Sequence, residues 1–377
     1  MKLAHLTWHP YRLPLRTAFR TAHAVFSERT GALVYVTTEE GVTGRGEIAP
    51  LPGQHATGLA GVLEILGQLV CAVQGRELTD ILQFLATWSA EQQLPSSLVC
   101  GLETALFDAL GQACGQSLAA LLARPRPAIC GEEAGAPRAR VPVNALIGAA
   151  SCEQMVAQAR AALDAGYTCL KLKLTGGFPQ MLACVQAVRA ACGPDVSLRL
   201  DANEGWSFEQ ASWFLTRCAA CDIQYMEQPL PADDLTGMAR LRAHSSVPLA
   251  ADEAVTGLWE AQRVLAAEAA DVLILKPQLV GGLQVCRQIV WQASRSGVAC
   301  VLTSNLEAGI GVAATLHLAA ALPLVSLPCG LATLGLLEDD LLLTGLAVEQ
   351  GYMAVPAGCG LGVALKRYQE GSDDGHS

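Results

Sequence analysis

Between residues 169 and 276 the chain repeats one pattern: a short run of Leu, Ile and Val closes on a charged residue, and a helix-length segment follows. The runs are 169–174, 196–201, 223–227, 248–252 and 272–276, and they deliver Lys173, Asp201, Glu227, Asp252 and Lys276. Successive charged positions lie 28, 26, 25 and 24 residues apart, enough for a strand, a turn, a helix and a return turn. Strands alternating with helices predict a parallel sheet, and sufficient units close into a barrel. Residues 141–147 begin this series, 148–165 give its first helix, 300–305 a seventh strand and 322–327 an eighth, placing the barrel at 141–335.

The first third reads differently. Apolar alternation marks strands at 3–15, 31–38 and 44–48, with a turn at Glu40-Gly41, a polar and aromatic loop at 17–26 and a rigid turn at 49–53. Helical periodicity takes over at 58–74 and 97–122, where Ser96 or Ser97 can cap the helix start and Gly115 can break it. Strands followed by helices, without alternation, predict a separate α+β domain over 1–130. Residues 124–140, rich in Pro, Gly, Ala and charge, read as the connection. The turn-rich stretch from 338 is expected to return to the first domain and complete it by about 366, leaving 367–377 as a flexible tail.

With 377 residues, 51% hydrophobic and 16% charged, the chain can bury a large core in two domains. A net charge of −10 without a basic patch argues against a nucleic-acid partner. The 14 cysteines are scattered, mostly within apolar segments, and the first ten residues hold neither a sustained apolar stretch nor a cleavage site. A reducing cytoplasm is therefore expected. Cys218 and Cys221 have redox or zinc spacing but lack a second ligand pair. Residues 309–337 carry no Lys, Arg, Asp or Glu, yet Pro323, Pro328 and Gly330 interrupt them. They read as a buried helix (309–320) and a buried strand (322–328), not a membrane span.

Parallel strands point their C-terminal ends one way, so the charged ends surround a single mouth. Nearness to water explains one charged strand end; five at matching places call for chemistry. Asp201, Glu227 and Asp252 would repel one another without a cation, and hard oxygen ligands on separate strands suit Mg²⁺, with Mn²⁺ as a substitute. Lys173 and Lys276 flank the three in sequence and hence in the bowl. Period-two alternation turns Lys171 inward with Lys173, and Arg199 and Asn203 inward with Asp201. Arg199 is then either a support for the ligands or a structural ion-pair residue.

The order Lys171-Leu172-Lys173, Asp201-Ala202-Asn203, Glu227-Gln228-Pro229, Asp252-Glu253, Lys276-Pro277 resembles the enolase superfamily, in its muconate-lactonizing-enzyme-like subgroup. Residues 105–111 (Ala-Leu-Phe-Asp-Ala-Leu-Gly) resemble the last helix of that family's cap. The resemblance implies the fold class: α/β, a modified (β/α)7β TIM-like barrel with an N-terminal α+β capping domain. It also implies Mg²⁺, a small-molecule carboxylate substrate and abstraction of the proton α to that carboxylate. Within the subgroup, residues 46–53, 303–311, 330–333 and 336–340 are most similar to the o-succinylbenzoate synthase family. Dipeptide epimerases carry Asp-x-Asp on the eighth strand, and 322–331 has no Asp; the His base of mandelate racemases is missing from 300–305.

That resemblance implies a syn dehydration of 2-succinyl-6-hydroxy-2,4-cyclohexadiene-1-carboxylate, in menaquinone or phylloquinone biosynthesis. Lys173 is then the general base, kept neutral by neighbouring Lys171 and Mg²⁺, and it returns its proton to the departing hydroxyl. Lys276 would remain charged and stabilise the intermediate. Ser304, Asn305 and Gly330 stand at strand ends suited to the succinyl arm, and the 17–26 loop is a candidate lid. The alternatives are an N-succinylamino acid racemase with paired lysine bases, a Schiff-base aldolase, and a non-catalytic barrel that only binds.

Overall fold

The computed structural model describes residues 1–20, 25–52, 58–90, 94–124, 135–148, 151–174 and 177–366. Three antiparallel strands come first: β1 (Leu3–Arg20), β2 (Val25–Thr38) and β3 (Thr43–Ile48), in the order β1-β2-β3. Their apolar face (Leu3, Leu6, Val34, Val36, Ile48) packs on α1 (Gly58–Val73), α2 (Leu78–Ala90) and α3 (Ser96–Cys114) through Val62, Leu66, Leu85, Leu98 and Leu102. Helix α3 lies directly on β3 because Gly44 and Gly46 offer no side chain; a Cβ there would fall 2.0 Å and 1.9 Å from the carbonyl oxygens of Ala105 and Gly101. A short α4 (Leu118–Leu122) follows.

Two details differ from the sequence pattern. Pairing of β1 with β2 runs on to Arg20↔Val25, past an irregularity between Pro14 and Phe19, so much of the expected 17–26 loop is hairpin. Residues 16–18 are exposed, which removes the apolar alternation that betrays a half-buried strand. The tip at 21–24 lies outside the described residues, as do Gly53 and the tail at 367–377. Helix α3 takes Pro95 as its cap position with no side-chain capping bond, and Ser97 Oγ is buried with no partner among the described residues; Gly115 ends the helix in the left-handed conformation.

After β4 (Arg140–Pro142) come seven parallel strands joined in sequence order: β5 (Ala145–Ile147), β6 (Cys169–Lys173), β7 (Ser197–Asp201), β8 (Ile223–Glu227), β9 (Leu249–Ala251), β10 (Val272–Leu275) and β11 (Ala299–Leu302). The helices between and after them are α5 (Cys152–Asp164), α6 (Phe178–Cys192), α7 (Phe208–Cys218), α8 (Leu235–His244), α9 (Leu258–Ala266), α10 (Pro277–Val280), α11 (Leu283–Arg295) and the wholly buried α12 (Gly309–Ala321). Ser151, Ser207 and Asp234 cap α5, α7 and α8 with side-chain bonds. Leu170, Leu172, Leu198, Leu200, Leu273 and Leu275 join the core shared with the helices, while Tyr225, Ala250, Val272, Ile274 and Val301 form a small core within the barrel. No helix among the described residues is long and apolar enough to cross a membrane.

The expected eighth strand at 322–327 is not one. Pro323 and Pro328 lack the N–H a central strand must donate, and the seam is instead made by Cys329 and Gly330. Cys329 bridges Val143, and Gly330 bridges Thr303. Four main-chain bonds hold them: Cys329 N to Pro142 O (2.8 Å), Asn144 N to Cys329 O (3.0 Å), Gly330 N to Leu302 O (2.9 Å) and Ser304 N to Gly330 O (3.0 Å). Downstream, Glu338 N donates to Pro14 O (2.9 Å) and Gly360 bridges Ser117, returning the chain to the first domain. Between them β12 (Val348–Glu349) pairs with β13 (Tyr352–Ala354), and β13 pairs with β4.

Candidate active site

The C-terminal ends of the barrel strands meet in a cleft of about 110 Å³ lined by Lys171, Lys173, Asp201, Asn203, Asp252, Glu253 and Lys276, and by Thr303, Ser304, Asn305, Leu306, Gly330, Ala332 and Thr333 from β11 onward. Leu51 of the first domain and Asn144 and Leu146 complete it. Register explains the convergence: Lys171 pairs with Arg199 and Lys173 with Asp201, which in turn pairs with Glu227. In-register parallel strands keep equivalent side chains at one height, and the pleat sends every second one inward.

Lysines face acids throughout. Lys171 Nζ lies 2.5 Å from Glu227 Oε1 and 3.0 Å from Asp201 Oδ2. Lys173 Nζ lies 3.5 Å from Asp201 Oδ2 and donates to Asn203 Oδ1 at 2.9 Å. Lys276 Nζ donates to Asp252 Oδ2 at 2.6 Å. Asn203 Nδ2 passes on to Glu253 Oε1 at 3.1 Å. Gln228, buried at φ 35°, ties strand ends together: its Oε1 accepts from Asp252 N (3.0 Å) and Ala254 N (3.3 Å), and its Nε2 donates to Leu230 O (2.9 Å).

Protonation follows from this crowding. Burial pushes Asp201 upward, but Lys171 and Lys173 outweigh it and hold the carboxyl at about 2. Burial lifts Glu227 to about 7; Lys171 opposes the rise, while Asp201 and Asp252 add to it. Glu253 reaches about 8 through burial and the neighbouring Asp252 charge. Burial disfavours the Lys171 ammonium, yet Asp201 and Glu227 raise its pKa well above the ordinary value; Asp252 and Glu253 likewise raise Lys276.

The donor chemistry fits a hard divalent cation. Four carboxylates face three lysines, and Glu227 Oε2, Asp252 Oδ1 and Glu253 Oε2 are buried with no hydrogen-bond partner among the described residues, oxygens of the type such ions take. Convergence is incomplete: among the described residues no three acidic, His or Cys side chains already form a metal cage. The reason is visible in the ion pairs, since Asp201 and Glu227 share Lys171 whereas Asp252 turns to Lys276.

Of the other expected residues, Ser304 Oγ pairs with Thr333 Oγ1 (2.7 Å) and accepts from Leu306 N (3.2 Å), while Asn305 Oδ1 is buried with no partner among the described residues. Gly330 lies against Thr303, whose Oγ1 a Cβ would meet at 2.3 Å. Arg199 belongs to the barrel interior: it stacks on Tyr225 (4.9 Å) and donates to Gln224 Oε1 (2.6 Å), Asn144 Oδ1 (3.2 Å) and Pro328 O (2.7 Å), bracing the seam. Cys218 and Cys221 are free, buried thiols.

Several lining residues lie in stretches that carry the resemblance but were not singled out as site residues. Glu253 adjoins Asp252 in the motif yet contributes a separate carboxylate, and Thr303, Thr333 and Leu306 reach the cleft through the seam's geometry. Leu51 lies within the 46–53 run that carries the family resemblance.

Fold and site together define a capped α/β-barrel enzyme. The chain belongs to the enolase superfamily, in the muconate-lactonizing-enzyme-like subgroup: residues 4–123 match the mandelate racemase/muconate lactonizing enzyme N-terminal domain, and 154–369 the enolase C-terminal domain-like family. It is 37% identical over 206 residues to the o-succinylbenzoate synthase of Thermobifida fusca, covering 54% of this chain and 62% of that one. To the N-succinylamino acid racemase of Thermus thermophilus it is 31% identical over 361 residues, 94% of this chain and 92% of that one. The dipeptide epimerase of Enterococcus faecalis, solved with Mg and L-Leu-L-Tyr, superimposes with a TM-score of 0.88 at 25% identity, covering 97% of this chain and all of that one. Relatives between 26% and 37% identical thus include synthases, racemases, dipeptide epimerases and a muconate cycloisomerase.

Proposed function

We propose that the protein is an o-succinylbenzoate synthase, a cytoplasmic lyase of menaquinone or phylloquinone biosynthesis that removes water from 2-succinyl-6-hydroxy-2,4-cyclohexadiene-1-carboxylate to give 2-succinylbenzoate. The observation that carries this reading is the wall built at the end of β11 and the closing seam, between Lys276 on one flank and the strand of Lys171 and Lys173 on the other. Thr303, Ser304, Asn305, Gly330, Ala332 and Thr333 line it with hydroxyls, an amide and main chain. Such a wall offers hydrogen bonds to an acyl arm and no acid to hold a substrate ammonium, which speaks against a dipeptide. The similarity to a synthase at 37% identity adds support.

Lys173 takes the proton α to the ring carboxylate, and the resulting ammonium gives it to the hydroxyl leaving from the same face, so water departs and the base is regenerated. Asn203 aims Lys173 through its Oδ1 and is itself held by Glu253. Lys276, kept cationic by Asp252, stabilises negative charge as it spreads through the ring. Lys171 balances Asp201 and Glu227. Asp201, Glu227 and Asp252 would hold Mg²⁺, or Mn²⁺ in its place. The chemistry that ion supplies when bound is electrostatic, opposing charge that builds on the substrate carboxylate.

N-succinylamino acid racemization is the second reading, favoured by the placement of Lys173 and Lys276 in one cleft and by the 31% identity over 94% of the chain. Dehydration of the diene acid and deuterium uptake at the α-carbon of N-succinyl amino acids, measured on one preparation, separate the two. Rapid dehydration supports the synthase; rapid exchange without dehydration replaces it with the racemase, and neither reaction removes both.

A further inference from the structure

Arg29, on β2, is fully buried and bonds to the segments that bring Leu51 and Leu306 to the cleft. Among the described residues its five hydrogen bonds go to main-chain carbonyls. Nη1 donates to Thr30 O (2.9 Å) and Pro50 O (2.6 Å), and Nη2 donates to Ala49 O, all in the first domain. Nε donates to Leu306 O (3.1 Å) and Nη2 also to Asn305 O (3.4 Å), both in the barrel. One side of this clamp is the turn that leads to Leu51; the other is the segment that carries Leu306. Both leucines line the cleft.

Leu306 is held in an uncommon state, with φ at 60°. A leucine stays in the left-handed region only where its surroundings over-determine it, and such strain gathers at functional sites. Here its N–H is fixed by Ser304 Oγ and its carbonyl by Arg29. Beside the clamp, Glu47 accepts from Ala308 N (2.7 Å) and Gly311 N (2.8 Å), fastening the next turn of the barrel to the same strand pair. A guanidinium suits this task because its planar fork serves several acceptors at once, whereas an ammonium is a point donor on a flexible stem.

Building on the synthase reading, we propose that Arg29 is a positioning residue that sets the gap between Leu51 and Leu306, and with it the enzyme's selectivity for the acyl arm of its substrate. It touches no substrate and acts through two stretches of backbone. The test is Arg29→Lys, compared with Glu103→Ala, which loosens a different contact between the domains, where Glu103 accepts from Leu283 N and Gln284 N. Arg29→Lys is expected to raise KM for 2-succinyl-6-hydroxy-2,4-cyclohexadiene-1-carboxylate about tenfold while kcat changes by less than about threefold, the signature of lost binding that does not sharpen in the transition state. Amide hydrogen exchange is expected to accelerate at 304–309 and 49–52. Glu103→Ala should lower the melting temperature and leave KM unchanged.

Wild-type KM and wild-type exchange in Arg29→Lys overturn the proposal, as does an equal KM rise in Glu103→Ala. If Arg29→Lys does not fold, Arg29→Ala refolded with methylguanidinium takes its place. KM that recovers as the ion is added supports the clamp, and KM indifferent to it overturns the clamp. The exchange measurement needs no substrate, so an inactive wild-type protein would refute the assigned reaction while Arg29 is still judged.

Discussion

Acid should loosen this protein at one identifiable place. His317, in α12, is wholly buried where barrel, first domain and C-terminal segment meet. Ala119 N–H donates to its Nδ1 at 3.3 Å, and its Nε2 faces Leu361 O at 3.0 Å. Those partners demand a neutral ring with its proton on Nε2, because a second proton on Nδ1 would confront an N–H. Burial lowers the pKa from 6.5 to about 4, against a smaller upward pull from the Leu361 carbonyl. The unfolded ring therefore takes up its proton at higher pH than the folded one. Stability from this group is complete above the unfolded value and drains away as pH falls toward the folded one. At about pH 5 the unfolded ring is nearly all protonated and the folded ring nearly all neutral, a gap of roughly 1.5 pK units, or on the order of 2 kcal/mol. His317→Gln keeps a donor and an acceptor but cannot titrate. Urea unfolding of both proteins at about pH 7.5 and pH 5 isolates the effect, since distant titrating groups contribute equally to both and cancel. The wild type should lose on the order of 2 kcal/mol more than the variant across that interval. Equal losses would refute the reasoning.

Four further outcomes are expected. Lys173→Ala should cut kcat for dehydration by about 10²–10⁴-fold with an unchanged far-ultraviolet spectrum, because it removes the base without touching the core; full turnover would exclude Lys173 as the base. EDTA should abolish activity and added Mg²⁺ or Mn²⁺ restore it, and activity that survives exhaustive chelation would remove the metal from the reading. Asn203→Ala frees Lys173 of its 2.9 Å partner and should lower kcat by about 10–100-fold, the range seen when supporting partners are lost. Glu103→Ala strips the N-terminus of α11 of its acceptor for Leu283 N and Gln284 N and should destabilise by about 1–3 kcal/mol in thermal or urea unfolding, since the first of those bonds is buried and the second partly so.

The barrel was legible because its strands obey two rules at once. Leu170, Leu172, Leu198 and Leu200 alternate with Lys171, Lys173, Arg199 and Asp201, and each run ends in a residue too polar for an unpaired place in the core. Where one rule lapses, reading fails. Residues 322–327 are apolar enough for a strand, but prolines forbid the ladder, and the true seam is two residues whose contribution is almost wholly main chain. Beyond Leu15 the hairpin shows no alternation because residues 16–18 meet solvent. Arg199 illustrates a finer limit: period two placed it inside the barrel, yet its guanidinium turns to Pro328 O and Asn144 and away from the acids. Arg29 gave no pattern at all, since its hydrogen bonds among the described residues go to carbonyl oxygens, which every residue possesses.

Cys329 and Gly330 shut the barrel, and Gly330 is also part of the surface a bound acid would meet. On the proposed function, closure of the barrel and selection of the substrate would fall to the same short piece of backbone. A bulkier residue at 330 must displace Thr303, so remodelling the cleft from that side strains the joint between the first and last strands. Variation in what the enzyme accepts has more freedom on the opposite side, where Leu51 approaches from the first domain and no barrel strand depends on it.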